Sequence, residues 1–334
     1  MNALPVSSPR WPRFWSQLTT RDFAALDAAT TVAVLPLGAT EQHGPHLPLG
    51  VDTVLADGIV AAALPLLPPE LPALFLPTQQ IGLSPEHARF AGTLTFSAET
   101  LIRMWNEIGA GVARAGVKKL VLFNAHGGHV GAMDIVAREL RAAHGLIVYS
   151  VSWFNLPLGD ANAQFSAREH RFGVHAGEIE TSMMLALTPA LVRMDEAKDF
   201  SSTSEQRAAD CAILGNGKSA KLGWAMEDYN AQGAAGNAAA ATAAKGQAVI
   251  DAASQQLALL LTEVSQLPLS TANTGPLPRE RIRRCAPARR RTCRHRHCRH
   301  SAQRPPSARA SVPSAEARPP TQPHPRLRPR CACR

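Results

Sequence analysis

The segment TEQHGPHLPLGVDT, residues 40–53, gathers Glu41, His43, His46 and Asp52 in a Gly/Pro-rich stretch. Carboxylate and imidazole side chains are the donor set that divalent zinc, manganese or iron takes. Residues two apart in an extended segment point to one side, so Glu41 and His43 can face one pocket. Asp52 returns after a proline-containing loop, and its two oxygens allow one carboxylate to serve two cations. Taken singly, each side chain would suit a loop hydrogen bond or a salt bridge. Taken together, in a segment too polar for a core, they suit a metal site.

Three further stretches carry chemistry-bearing types. His126 stands in Asn-Ala-His-Gly-Gly-His, residues 124–129, directly after an apolar run. Gly127 and Gly128 let the backbone approach a ligand closely. His129 reads as a donor behind the ligands or as a helix-start residue. His175-Ala-Gly-Glu-Ile-Glu180 offers an imidazole and two carboxylates, of which Glu178 would point away from Glu180 on a helix. Ser84, Glu86 and His87 lie in GLSPEH, where a Pro85-centred turn accounts for the polar groups as well as a pocket mouth does. His46 reads as a group that orients a neighbouring ligand. Glu169 and His170 read as surface residues.

The pattern E-x-H-G-x-H-L-P-x-x-x-D is followed in order by GLSPEHARFAGTLT at 82–95, NAHGGH at 124–129 and HAGEIETSMML at 175–185. This series resembles the creatininase family of metal-dependent amidohydrolases, over about residues 15–265. The resemblance implies two divalent ions per subunit (Zn, Mn or Fe). It implies Glu41 and His126 on one ion, His43 on the other, Asp52 between them and Glu180 as a further ligand. It implies that His175 faces the substrate as the catalytic histidine and that Ser84 contacts substrate. The implied partner is a small-molecule amide, and the implied assembly a homo-oligomer, often a hexamer built from dimers. Creatininase itself has an acidic residue two positions after the histidine matching His126, where this chain has Gly128. That departure argues against creatinine and for another amide, lactam or formamide. The expected activity is hydrolysis of a small molecule's C–N bond, other than a peptide bond. A peptidase trimming a ribosomally made cofactor precursor would use the same metal site.

These residues need elements to position them. Apolar β-like runs recur at 31–37, 73–77, 119–123 and 146–152, with helical patterns at 53–65, 98–115 and 130–143 between them. Such alternation predicts βαβ units: an α/β, layered α/β/α domain with a mainly parallel central sheet. The candidate ligands then stand at the carboxyl ends of strands, where open sheets place their sites. Ser97 or Thr95 suits the cap of the helix from Ala98. Residues 177–190 read as a helix ended near Pro189, and 235–264, Ala-rich and periodic, as a long helix. Residues 195–233 read as a loop-rich cap or an oligomer contact.

The formal charge of +9 over 334 residues conceals a division. From Arg279 onward there are 17 arginines against two glutamates, a balance of +15, which leaves the rest at −6. A mildly acidic body gives no ground for nucleic-acid binding. Five of the six cysteines also lie in this tail, and a body with Cys211 alone suits a reducing cytoplasm. The expected division is a lead-in at 1–14, the catalytic domain at 15–268 and a disordered Arg/Pro/Cys-rich tail at 269–334. The tail's composition also resembles a shifted reading frame. A metal- or nucleic-acid-binding role through CRHRHCRH, residues 293–300, is the reading from another class, though its spacings match no zinc finger. No apolar run is long enough to span a membrane, and the N-terminus lacks a secretory core.

Overall fold

The computed structural model describes residues 11–272. Strands β1 (Val32–Leu37), β2 (Ala73–Phe75), β3 (Lys119–Asn124) and β4 (Ile147–Ser152) form one parallel sheet in the order β2-β1-β3-β4. β1 and β3 are in register from Val32↔Lys119 to Leu37↔Asn124, so their carboxyl ends are level. Both strands are buried along their whole length, as a parallel sheet covered on both faces requires.

In chain order the helices are α1 (Thr20–Ala24), α2 (Val51–Ala63), α3 (Ala98–Arg114), α4 (Val130–His144) and α5 (Ala167–Phe172). They continue with α6 (Glu178–Leu187), α7 (Thr203–Asp210), α8 (Met226–Tyr229) and α9 (Ala243–Gln266). The two-residue period of the strands sorts side chains into two cores. Val32, Val34, Val121 and Phe123 pack with α2, α6 and α9. Ala33, Leu35, Leu120 and Leu122 pack with α3 and α4. This is the α/β/α layering expected from the sequence.

Local signals explain most boundaries. The Ser97 hydroxyl accepts from Thr100 N at 3.2 Å and starts α3. Gly145, at φ 64°, ends α4. The long helix begins at Thr242, whose side chain caps it, rather than at 235. Residues 235–242 cannot join it because Gly236 has φ 136°. Instead β6 (Gly236–Asn237) pairs antiparallel with β5 (Asp199–Phe200).

Arg13, in the expected lead-in, is buried, donates to the carbonyls of Leu71 and Pro68, and accepts from Phe75 N through its own carbonyl at 2.8 Å. Of the tail, only residues 269–272 are among those described; the rest, with CRHRHCRH, lies outside them. No helix among the described residues is long and apolar enough to cross a membrane.

Candidate metal centre

Glu41 and His43 follow β1, and Asp52 sits in the first turn of α2. His126 follows β3, and Glu180 lies in the first turn of α6. The level strand ends and the two helix starts bring all five together. Helix N-termini suit the two carboxylates, because the backbone dipole favours negative charge there.

Three overlapping groups of possible ligand atoms result among the described residues. Glu41, Asp52 and His126 form one, His43, His175 and Glu180 another, and Glu41, His87 and His175 a third. Asp52 joins the first two: its Oδ1 lies 3.5 Å from His43 Nε2, and its Oδ2 lies 3.4 Å from His126 Nδ1. His126 Nδ1 is also 3.2 Å from Glu41 Oε1. The free nitrogens are selected by what the others touch. His43 Nδ1 lies 3.0 Å from the Glu41 carbonyl, which leaves Nε2 for the centre. His126 Nε2 lies 2.9 Å from the Leu83 carbonyl, which leaves Nδ1. Such outer bonds fix the tautomer and aim of a ligand histidine.

His175 shares this logic. Its Nε2 is 2.7 Å from the Gln42 carbonyl, and its Nδ1 is 3.8 Å from Glu41 Oε1. Ala176, at φ 53°, holds His175 in a bend that non-glycine residues rarely adopt. The Ala176 N–H donates to Glu180 Oε2 at 2.5 Å, which couples the bend to the carboxylate.

His46 and His129 support the centre from behind. His46 Nε2 lies 2.9 Å from the hydroxyl of Thr181, the neighbour of Glu180, and its ring stacks on Phe200. His129 Nε2 accepts from Leu83 N at 3.1 Å, so it holds the residue whose carbonyl aims His126. His129 Nδ1 lies 3.0 Å from Asn124 Oδ1, which also accepts from His126 N. Ser84 is fully buried, its hydroxyl 3.4 Å from His126 Nε2, and it is not among the residues that line the cavity.

Three residues do more than the sequence suggested. His87 is buried with its Nε2 3.4 Å from Glu41 Oε1, and Gln42 Nε2 donates to its Nδ1 at 2.8 Å. Glu86 reaches the cavity wall. The GLSPEH stretch was the available signal for both. Glu169, expected on the surface, is buried instead. Its carboxylate accepts from Glu178 N at 2.6 Å and Asn237 N at 2.9 Å, and it packs against Gly173, Gly177 and Gly236. Glycines leave the room for it, and the backbone donors replace its water. Glu178 turns away, as expected, to pair with Lys245.

The centre opens into a cavity of about 1020 Å³. Glu41, Asp52, His126 and His175 face it, and Trp153, Phe154 and Trp224 form an aromatic part of its wall. Residues 221–225 and Asp228 close one side, so the irregular segment after 195 contributes a cap.

Electrostatics show what the centre suits. Glu41 Oε2, His43 Nε2 and Asp52 Oδ2 are buried without hydrogen-bond partners among the described residues. Burial acts to lower His43, but Asp52, Glu180 and Glu41 outweigh it and push the imidazole up to about 9. Burial likewise opposes a proton on His126, yet Glu41 and Asp52 hold it well above the ordinary range. Burial acts to raise Asp52, but His126 and His43 hold it well below. Burial pushes Glu180 up to about 7. His175 stays well below the ordinary value through burial, His43 and His87, so it is neutral. Protons thus collect on His43 and His126 in answer to the carboxylates. A divalent cation brings the same charge and displaces those protons on binding. The donor set, the aimed nitrogens and the unpartnered oxygens therefore fit bound metal.

Comparisons with known proteins give the family and the fold. The family described as creatinine amidohydrolase (Creatininase) matches residues 16–261. A mycofactocin precursor peptide peptidase of Mycobacterium tuberculosis is 37% identical over 180 residues, 51% of this chain and 64% of that protein. The chain therefore spans a little under two-thirds of this relative's length. A creatinine amidohydrolase of Pseudomonas putida is 33% identical over 201 residues, 56% of this chain and 76% of that one. A solved structure described as creatininase Mn superposes with a TM-score of 0.60 at 26% identity, covering 75% of this chain and 98% of the other.

Proposed function

Because this chain belongs to the creatininase family, we propose that it is a metal-dependent hydrolase of an amide C–N bond. The observation that carries this is the convergence of Glu41, His43, Asp52, His126 and Glu180 on one buried cluster, with ligand atoms left unpartnered. Glu41, Asp52 and His126 would hold one divalent ion, and His43, Glu180 and Asp52 a second. Bound there, Zn, Mn or Fe would acidify a water and polarise the scissile carbonyl.

The chain's own groups do the rest. His175 gives Nε2–H to the Gln42 carbonyl, so the Nδ1 lone pair faces the centre. Neutral Nδ1 takes a proton from the attacking water as the O–C bond forms. It returns that proton to the leaving nitrogen as the C–N bond breaks. Trp153, Phe154 and Trp224 shield the cavity on one side and offer an apolar surface to substrate.

A peptide-like substrate is the more specific reading. The cavity, at about 1020 Å³, is at the upper end of ordinary ligand pockets and far exceeds a small cyclic amide. The likeness to relatives named as precursor-peptide peptidases points the same way. The test is to strip the full-length protein, reload it with Zn²⁺ or Mn²⁺, count ions, and follow amine release from short peptides and ring opening of creatinine. The expected result is metal-dependent release from peptides and poor turnover of creatinine. Absence of bound ion, or efficient creatinine turnover with inert peptides, would overturn the respective reading.

A further inference from the structure

Gly128 follows His126 by two residues and has no side chain, and the structure shows what occupies the space that a side chain there would take. A Cβ on Gly128 would collide with Glu86 Oε1, His126 Nε2 and the Leu83 carbonyl oxygen. The missing side chain thus makes room for a carboxylate from another loop, the turn Pro85–His87. Glu86 Oε1 lies 3.7 Å from His126 Nε2, on the outer face of that imidazole, and its side chain is only 11% exposed.

Charge counting gives this position a consequence. Glu41, Asp52 and Glu180 bring three negative charges, and two divalent cations bring four positive ones. Until a bound water gives up its proton, the loaded centre would keep one uncompensated positive charge among ligands that are 1–3% exposed, in the case of Glu41, Asp52 and His126. An uncompensated charge is costly when water is excluded. Glu86 is a fourth carboxylate within ion-pair range of a ligand.

We propose that Glu86 is a positioning and charge-balancing residue of a dinuclear centre: it backs His126 from its outer face and strengthens the hold on the ion there, and Gly128 is the residue that admits it. This rests on the metal-centre reading above. A carboxylate behind a ligand imidazole raises its basicity, and loss of such partners costs about 10–100-fold in metal affinity.

The experiment uses the full-length protein, stripped with a chelator and titrated with Zn²⁺ alone, as wild type, Glu86→Gln, Glu86→Asp and Gly128→Ala. Wild type should take up two ions per chain. Glu86→Gln should weaken one of them about 10–100-fold, and Glu86→Asp, which keeps the charge, should weaken it less. Gly128→Ala should act in the same direction as Glu86→Gln, because the added carbon meets the Glu86 carboxylate, His126 Nε2 and the Leu83 carbonyl together. Melting of the stripped protein should stay in place for Glu86→Gln while the loaded protein loses part of its stabilisation. Equal fall of stripped and loaded melting temperatures would mark Glu86 as a packing residue and overturn the proposal. Two ions bound by Glu86→Gln at wild-type affinity would overturn the role of Glu86 alone. A wild type that binds no ion would overturn the metal centre, and this role with it.

Discussion

Asp52 is the residue on which both halves of the centre depend, because its two oxygens face His43 and His126 separately. Asp52→Ala should remove both ions and all activity, whereas His46→Ala, acting through Thr181, should cost about 10–100-fold. Ion counting on both variants checks this; full metal content in Asp52→Ala would end the bridging role. The Glu41-x-His43 spacing and Asp52 were legible because they share one short segment and carry ligand chemistry. His87 and Glu86 were not, because a Pro85 turn explained their polarity equally well. Burial of Glu169 was hidden for a different reason. The stretch Ala-Arg-Glu-His-Arg-Phe is charged like a surface helix, and the packing that buries the carboxylate is completed by Gly236, 67 residues on, beside the nearby Gly173 and Gly177.

At the scale of elements, the strand ends were readable and the connections less so. Apolar runs bounded by Gly38, Asn124 and Ser152 locate the sheet, and the sheet places His126 and Glu41 at one edge. The loop that carries His175 depends on long-range contacts: His175 pairs with Ala235, and Glu169 ties Glu178 and Asn237. No local signal announces them, and alanine content with apolar periodicity drew residues 235–242 into a helix. Glu169→Ala would leave a buried and a part-buried backbone N–H group without an acceptor, at a cost of about 2 kcal/mol. It should also loosen the bend at Ala176, so catalytic rate should fall together with stability. Urea unfolding beside a rate measurement checks this, and a variant as stable and active as wild type would show that the Glu169 anchor is dispensable.

At the scale of the whole molecule, the centre is a clamp between parts of the chain that are far apart in sequence. The His175–Gln42 bond alone spans 133 residues, and the ligands come from two strand ends and two helix starts. An ion that binds only the folded state stabilises it by mass action, by about 4 kcal/mol at a thousand times the dissociation constant. For a domain of this size that corresponds to roughly 8–16 °C in melting temperature. Chelation should therefore lower the melting temperature by an amount of this order. The gap should also depend on pH, with a definite sign. In the stripped protein the His43 pKa rises from an ordinary 6.5 to about 9. The stability from this proton is complete below about pH 6.5 and is lost as pH rises towards 9. The loaded protein has no such proton to lose, and ion uptake meets less proton competition as pH rises, by about 1.4 kcal/mol per pH unit for each proton displaced. Both effects widen the difference between loaded and stripped melting temperatures from pH 6.5 to pH 9. Paired melting curves across that range test it. A gap that narrows with pH would show that His43 does not give up its proton to an ion, and a gap of zero would show that the cluster holds no metal.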